Sequence, residues 1–328
     1  MTIDLLATLW PSFTHFPAFA EDQRLAGIRL NSAMMSVPEL DKELDRLNGA
    51  GVRWLEDSHK TRDGRVTVKK VPLYYDIKGR QPRVIEVIPN SDHLDLRLNH
   101  AVEVKTPCTV LFKGGADHGL LHHLEEDGQR LVFQGGPKYK VKAGESLYLR
   151  DPGLRIKGDL FTPEEKVKIQ KCRAAGFTKW FLSYVEEEAD VDQFLELVGH
   201  DAEVWLKIES MRGLEYVSRF KKRDNLILVA ARGDLYVELD RPHMIADALK
   251  SIIAADPEAC VASRLLLSVV EGPVPSCADF LEMAWLRDAG YRRFMLCDEL
   301  CLKGGLLGTA VNAFESFRQV ASRYAAFP

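Results

Sequence analysis

The sequence lacks the features that would place it in a membrane or on nucleic acid. No apolar run is long enough to cross a bilayer, and the amino terminus has no basic segment followed by an apolar stretch. The net charge is −4, without a basic stripe interleaved with aromatic residues. We therefore expect a cytoplasmic protein without a membrane or nucleic-acid partner.

A disulfide framework is also absent from the pattern. The six cysteines are scattered along the chain, and no two of them form a Cys-x-x-Cys pair. This spacing predicts reduced, packed thiols and excludes the common structural zinc sites.

Apolar strands alternate with amphipathic helices over most of the 328 residues. The predicted strands cover residues 3–9, 26–31, 71–76, 178–185, 202–210, 225–235, 260–267 and 292–296. The predicted helices cover residues 38–48, 163–175, 190–198, 211–220, 242–254, 277–288 and 310–326. Eight strands that alternate with helices predict an α/β protein, a TIM (β/α)8 barrel with its active site at the carboxyl ends of the strands.

A different pattern interrupts the alternation after the third strand. Between about Val84 and Lys157, short apolar runs are separated by Gly-Gly, Asp-Gly and Ala-Gly turns, which is typical of an all-β module. The sequence therefore predicts barrel segments at residues 1–84 and 158–328 and a small inserted β lid at residues 85–157. A hairpin turn is predicted at Asp63-Gly64.

The stretch Leu206–Leu235 carries the strongest chemical signal. The alternation of a strand places Lys207 and Glu209 on one face, and Asp234 ends the next strand. Two carboxylates suit Mg²⁺ or Mn²⁺, and a lysine beside them can stabilise an oxyanion. A structural ion pair is the alternative for this unit alone.

Polar residues at the other predicted strand ends should converge on the same site. They are Arg29, Asn31, Asp76, Arg83, Ser183, Ser263 and Glu299. Arginines and a lysine beside carboxylates predict a phosphorylated or carboxylated substrate that binds through a metal.

These residues resemble the motifs of the pyruvate kinase family over nearly the whole chain. The motifs are Thr8-Leu9, Arg29-Leu30-Asn31, Asp76-Ile77-Lys78-Gly79 through Arg83, Lys207-Ile208-Glu209, Ala231-Arg232-Gly233-Asp234-Leu235 and Pro273-Val274-Pro275. The β insertion after the third strand is similar to the mobile lid domain of that family.

The resemblance implies a role for individual residues. Lys207 would neutralise the transferring phosphoryl group and the enolate oxygen, and Glu209 and Asp234 would hold the metal. Arg83 would bind the phosphate, and Arg29 would lie on the phosphate or nucleotide side.

Two further positions follow from the same resemblance. Gly233 would offer its backbone N–H to the substrate carboxylate, and Ser263 stands where the family has a threonine near the site of enolate protonation. We add Asn31, Asp76 and Ser183 as predicted substrate-binding residues.

The sequence departs from the family on the nucleotide and potassium side. Ala33, Met34 and Ile77 replace a serine, a histidine and a threonine, and Gln81 replaces an acid or a lysine. Potassium is therefore a doubtful cofactor. At the end of the lid, Arg150 and Pro152-Gly153 keep a partial likeness, and a carboxyl-terminal regulatory domain is expected to be missing.

We expect a divalent-metal enzyme that acts on phosphoenolpyruvate or on a pyruvate-like 2-oxo acid and its enolate, by pyruvate kinase-like phosphoryl transfer, with a nucleotide as a candidate partner. One alternative is a lyase, aldolase or decarboxylase that uses the pyruvate enolate with the metal and without nucleotide. Another is a non-catalytic protein that binds a metabolite. A homo-oligomer is expected in each case.

Overall fold

The computed structural model describes residues 2–32, 35–49, 70–90 and 92–324. The predicted turn at Asp63-Gly64 lies outside these residues. In chain order the strands are β1 (Asp4–Thr8), β2 (Gly27–Asn31), β3 (Leu73–Ile77), β4 (Val84–Ile88), β5 (Leu94–Leu98), β6 (Val102–Glu103), β7 (Cys108–Phe112), β8 (Asp117–Glu125), β9 (Arg130–Gln134), β10 (Tyr148–Leu149), β11 (Arg155–Ile156), β12 (Lys179–Leu182), β13 (Glu203–Ile208), β14 (Leu226–Ala231), β15 (Cys260–Ala262) and β16 (Arg293–Met295).

Most of the helices follow barrel strands. They are α1 (Phe16–Ala20), α2 (Val37–Gly49), α3 (Pro163–Ala174), α4 (Glu188–Val198), α5 (Met211–Val217), α6 (Arg232–Glu238), α7 (Ile245–Ala255), α8 (Cys277–Asp288), α9 (Asp298–Cys301) and α10 (Gly304–Tyr324). Among the described residues, no helix is both long and apolar enough to cross a membrane.

Eight parallel strands close into a barrel in the order β1-β16-β15-β14-β13-β12-β3-β2. On β13 the side chains of Val204, Leu206 and Ile208 pack outward in the large core beneath the helices. Trp205 belongs instead to a second apolar cluster, which fills the interior. This alternation is the one that the sequence predicts, and the predicted TIM barrel is confirmed.

The lid is a separate antiparallel sheet with the strand order β10-β7-β8-β9-β5-β4, and β6 pairs with β11 beside it. Its own apolar core includes Leu96, Phe112, Leu131 and Phe133, all fully buried. The lid therefore does not depend on the barrel for its hydrophobic stabilisation.

Some predicted boundaries are wrong, and the largest errors fall at the carboxyl end of the barrel. The strand predicted to run to Leu235 ends at Ala231, and the one predicted to run to Leu267 ends at Ala262. Short helices or turns follow, because Leu235 and Leu239 pack into the core at helical spacing. The last helix begins at Gly304 and not at Ala310.

Candidate functional site

The barrel interior changes from apolar to charged toward the carboxyl ends of the strands. Tyr74, Phe181 and Trp205 pack against one another, with ring centroids 5.1 to 5.5 Å apart. Asp76 and Lys207 each lie two residues further along their strands and face the same interior. The aromatic layer closes the barrel below these charges, which are therefore reached from the carboxyl end.

Asp76 is the centre of the charged cluster and is fully buried. Its Oδ2 atom lies 3.0 Å from Nζ of Lys78, 3.6 Å from Nη1 of Arg29 and 3.7 Å from Nζ of Lys207. Its Oδ1 atom accepts a hydrogen bond of 3.2 Å from the Ser183 hydroxyl. Burial acts to raise the pKa of Asp76, but the three cations outweigh it and hold that pKa well below its usual range.

Lys207 connects Asp76 to Glu209. Its ammonium donates to Ser183 Oγ at 2.9 Å and lies 2.8 Å from Oε1 of Glu209. Burial alone would lower the pKa of Lys207, but Asp76 and Glu209 raise it above its ordinary value. The lysine therefore carries a proton and a positive charge at neutral pH.

One oxygen of Glu209 is held by the backbone and the other by the Lys207 ammonium. Its Oε2 atom accepts a hydrogen bond of 2.8 Å from the backbone N–H of Tyr184. The buried Oε1 atom lies 2.8 Å from the Lys207 ammonium. Burial raises the pKa of Glu209, and the Asp234 carboxylate raises it further against the opposing effect of Lys207.

A cavity of about 460 Å³ opens over this cluster. Of the predicted site residues, it is lined by Arg29, Asn31, Arg83, Lys207, Glu209, Gly233, Asp234, Ser263 and Glu299. Asp76 and Ser183 do not line it but support Lys207 from below. Lys78, Lys113 and Arg264 add positive charge to the wall, so the cavity suits a small anion.

The sequence analysis did not select Lys78 as a site residue, although it lies two residues after Asp76 and its side chain is therefore expected on the same face. Burial lowers the pKa of Lys78 to about 8, against the opposing attraction of Asp76. The strand periodicity that found Lys207 and Glu209 would also have found this lysine.

The loop after β15 has a strained backbone beside the cavity. Ser263 and Arg264 have φ values of 67° and 59°, a region that residues with a side chain rarely adopt. A Cβ atom added to Gly233 would lie 3.5 Å from the Ser263 side chain, an ordinary contact. Packing therefore does not require glycine at position 233. Close approach of a ligand to the backbone is a reason for a glycine there.

The lid and the segment just before it make contacts that the sequence did not reveal. The Tyr148 hydroxyl donates a hydrogen bond of 2.5 Å to Oδ1 of Asp234, which Gln81 also reaches at 3.3 Å. Arg83 lines the cavity while its Nη1 atom donates to the Gly144 carbonyl at 2.5 Å. No periodicity could predict these contacts, because they join segments far apart in sequence.

Asp298 is a further site residue that the sequence analysis did not select. Its carboxylate accepts hydrogen bonds from Nη2 of Arg29 at 2.5 Å and from Nδ2 of Asn31 at 2.7 Å. It follows the end of β16 closely, so the rule of strand ends that selected Asp234 applies to it as well.

The donor set fits a hard divalent cation. Glu209 and Asp234 line the same cavity, and their mutual repulsion would be relieved by a positive ion. In the described part of the chain, no three His, Cys, Asp or Glu side chains form a complete metal site. Two carboxylates are sufficient for Mg²⁺, which takes its other ligands from substrate and water.

Comparisons with known proteins agree with this architecture. No family model matches the chain. It is 23% identical to the pyruvate kinase of Methanocaldococcus jannaschii over 272 residues, which cover 75% of this chain and 59% of the relative. It is 28% identical to that of Encephalitozoon cuniculi over 206 residues, covering 62% and 46%, and 26% identical to that of Haemophilus influenzae over 175 residues, covering 49% and 35%.

The matched region spans less than two thirds of each relative's length. The three matches nevertheless agree with each other and with the closed barrel and its antiparallel lid. Together they relate this chain to the pyruvate kinase family.

Proposed function

We propose that the protein is a divalent-metal-dependent enzyme that acts on phosphoenolpyruvate or on the enolate of pyruvate, by phosphoryl transfer of the pyruvate kinase type. One observation carries the proposal: the charged Lys207 ammonium lies between Asp76 and Glu209 at the base of a cation-lined cavity. A fixed positive charge in a buried site stabilises an oxygen anion that develops during the reaction.

Some residues of the cavity would bind the substrate, and others would stabilise the negative charge that develops on it. Arg83 and Lys78 supply positive charge for a phosphate or carboxylate group. Lys207 faces the oxygen that becomes negative, and Asp76 and Ser183 fix the position of its ammonium. The Ser263 hydroxyl lines the same cavity and would hold a proton near the enolate carbon.

Glu209 and Asp234 are the proposed holders of Mg²⁺ or Mn²⁺. When bound, the ion would neutralise negative charge on substrate oxygens. Glu209 keeps its orientation through the Tyr184 N–H, and Asp234 through the Tyr148 hydroxyl and Gln81. Potassium is not part of the proposal, because Asn31 already donates to Asp298 and Asp76 already faces three cations.

A second candidate is carbon–carbon bond chemistry of the pyruvate enolate without nucleotide, as in an aldolase, a lyase or a decarboxylase. The observation that favours it is the pairing of Arg29 with Asp298 at 2.5 Å. The resemblance assigns Arg29 to the phosphate or nucleotide side, where a nucleotide phosphate would have to compete with this carboxylate for the guanidinium.

Proton exchange of pyruvate tests the feature that both candidates share. Pyruvate is incubated with the protein and Mg²⁺ in D₂O, with and without ADP or ATP, and loss of the methyl proton signal is followed by NMR. Lys207→Ala should slow the exchange by about a hundredfold or more, as for loss of one preorganised oxyanion donor. Glu209→Gln should reduce it and weaken its dependence on Mg²⁺.

Lys250→Ala is the matched control, because this lysine is exposed on the outer helix α7. Exchange that requires nucleotide, together with phosphorylation of ADP by phosphoenolpyruvate, would support the kinase. Exchange without nucleotide would support the second candidate. Absence of both exchange and phosphoenolpyruvate turnover in the folded protein would refute both.

A further inference from the structure

We propose that a second cavity at the barrel mouth binds an organic cation, an ammonium group on an apolar or aromatic body. This cavity has a volume of about 350 Å³ and shares Asn31 and Asp298 with the active-site cavity. Its size and position suit a small molecule that lies next to the proposed enolate site. The importance of this position next to the enolate site rests on the proposed function. The class of ligand is argued from the cavity alone.

The apolar part of the wall provides a surface for the body of the ligand. Trp10 and Phe13 are half-buried and line the cavity together with Met35 and Leu302. The faces of aromatic rings attract cations, and tryptophan does so most strongly. A flat or branched apolar group with a positive charge would use both properties of this wall.

The charged part of the wall is entirely acidic. Glu39, Glu43 and Asp298 line the cavity, and no lysine or arginine does so within the described ranges. Two of these carboxylates are already paired, Glu43 with Arg46 and Asp298 with Arg29, so Glu39 is the lining carboxylate without an ion pair among the described residues. A phosphate chain would meet carboxylates here without a free cation, whereas an ammonium would be attracted.

Thr8 gives an independent indication of a ligand. Its side chain is only 5% exposed and lines the cavity, yet its Oγ1 atom has no hydrogen-bond partner among the residues that the structure describes. A buried hydroxyl without a partner is destabilising, because the group has lost its hydrogen bonds to water. An ammonium has three hydrogen-bond donors, so it can satisfy this oxygen and a carboxylate together.

The contrast with a nucleotide decides the ligand class. An adenine ring could stack on Trp10, but the di- or triphosphate attached to it would be repelled by Glu39 and Asp298. An arylalkyl ammonium ion gains the same stacking and adds attraction to the carboxylates.

Three ligands of similar shape test this inference by calorimetry: 2-phenylethylammonium, 2-phenylethanol and 3-phenylpropionate. We expect the cation to bind about tenfold or more tightly than the anion, equivalent to about 1.4 kcal/mol, with the alcohol between them. Glu39→Gln and Thr8→Val should each weaken binding of the cation several-fold. Raised salt should reduce the preference for it, because Glu39 is exposed.

Glu196→Gln is the control, since Glu196 is an exposed carboxylate on α4 away from the cavity. Circular dichroism of each variant establishes that it is folded. Binding of the anion as tight as that of the cation, displacement of the amine by ADP, or unchanged binding in both cavity variants would overturn the inference.

Failure of this inference can be separated from failure of the proposed function. Binding is measured without pyruvate, and methyl exchange is measured without amine. Exchange without amine binding would refute the cation site alone, and amine binding without exchange or phosphoenolpyruvate turnover would refute the proposed function alone.

Discussion

Glu238 shows how burial controls the charge of a single residue near the site. Its Oε1 atom accepts a hydrogen bond of 3.2 Å from the Tyr184 hydroxyl. Burial raises the pKa of Glu238 to about 8, and the nearby Asp234 and Glu186 carboxylates add to this, while Tyr184 and Arg150 oppose it. The folded protein therefore prefers Glu238 in its protonated form.

We expect the free energy of unfolding to fall as the pH rises between about 4.5 and about 8. The folded pKa lies above the unfolded one, so the stabilisation is complete below the unfolded pKa and is lost as the pH rises through the folded pKa. A single site contributes a slope of at most about 1.4 kcal/mol per pH unit. Urea denaturation across this range measures the slope.

Glu238→Gln should remove that part of the pH dependence and make the protein more stable than the wild type near pH 8. The control is Asp240→Asn, because Asp240 is an exposed carboxylate two residues away. Parallel stability profiles of the wild type and Glu238→Gln would contradict the assignment.

At the level of single residues, the sequence could predict those that follow the two-residue period of a strand. Lys207, Glu209 and Asp76 follow from alternation and from the position of strand ends. Tyr148 could not be predicted, because it reaches Asp234 from a lid strand 86 residues away in sequence. This contact joins two separate sheets, so no periodicity in the sequence indicates it.

Helix α3 shows how local sequence determines an element. Thr162 precedes Pro163, and its hydroxyl accepts a hydrogen bond of 3.2 Å from the Glu165 N–H. The Glu165 carboxylate in turn accepts one of 3.0 Å from the Thr162 N–H. This reciprocal capping box satisfies backbone donors that the first turn leaves free, and the start of this helix was predicted from the sequence.

Thr162→Ala should lower the free energy of unfolding by about 1 kcal/mol through loss of the cap. Because the two residues bond to each other, Glu165→Ala combined with Thr162→Ala should cost less than the sum of the single changes. Thermal or urea unfolding of the four proteins in this cycle measures the coupling. Additive effects would show that the capping box does not act as a unit.

Element boundaries were predicted less well than the elements themselves. The apolar run Leu226–Ala231 continues into Arg232-Gly233-Asp234-Leu235, which resembles the end of a strand when it is read alone. Leu235 and Leu239, four residues apart, are nevertheless both buried in the core beneath the helices. Tertiary packing converts this segment to α6, and such packing does not show in a short window of sequence.

For the whole molecule, alternation predicts the barrel, and the short apolar runs separated by glycine turns predict the lid after its third strand. Neither indicates how the lid contacts the barrel. Arg150 of the lid donates to the carbonyls of Val237 at 2.7 Å and Leu239 at 3.2 Å, at the carboxyl end of α6. A cation at the carboxyl end of a helix also interacts favourably with the helix dipole.

These two hydrogen bonds hold the lid beside Asp234, so we expect Arg150→Ala to increase the population in which the lid is detached. A hydrogen bond to a charged group contributes about 1.5–3 kcal/mol, so losing this contact should speed hydrogen exchange of the affected amides about tenfold or more. The affected amides should be those of β10 and α6. Exchange within β8 and β9 should not change, because the lid core is independent of the barrel.

Arg155→Ala is the matched control, because Arg155 is an exposed lid arginine on β11. Exchange measured by mass spectrometry after proteolysis separates local opening from unfolding of the whole lid. Faster exchange throughout β7 to β9 would mean that Arg150 stabilises the lid itself. Unchanged exchange in α6 and β10 would mean that the Tyr148 and Asp234 contact is sufficient to hold the lid closed.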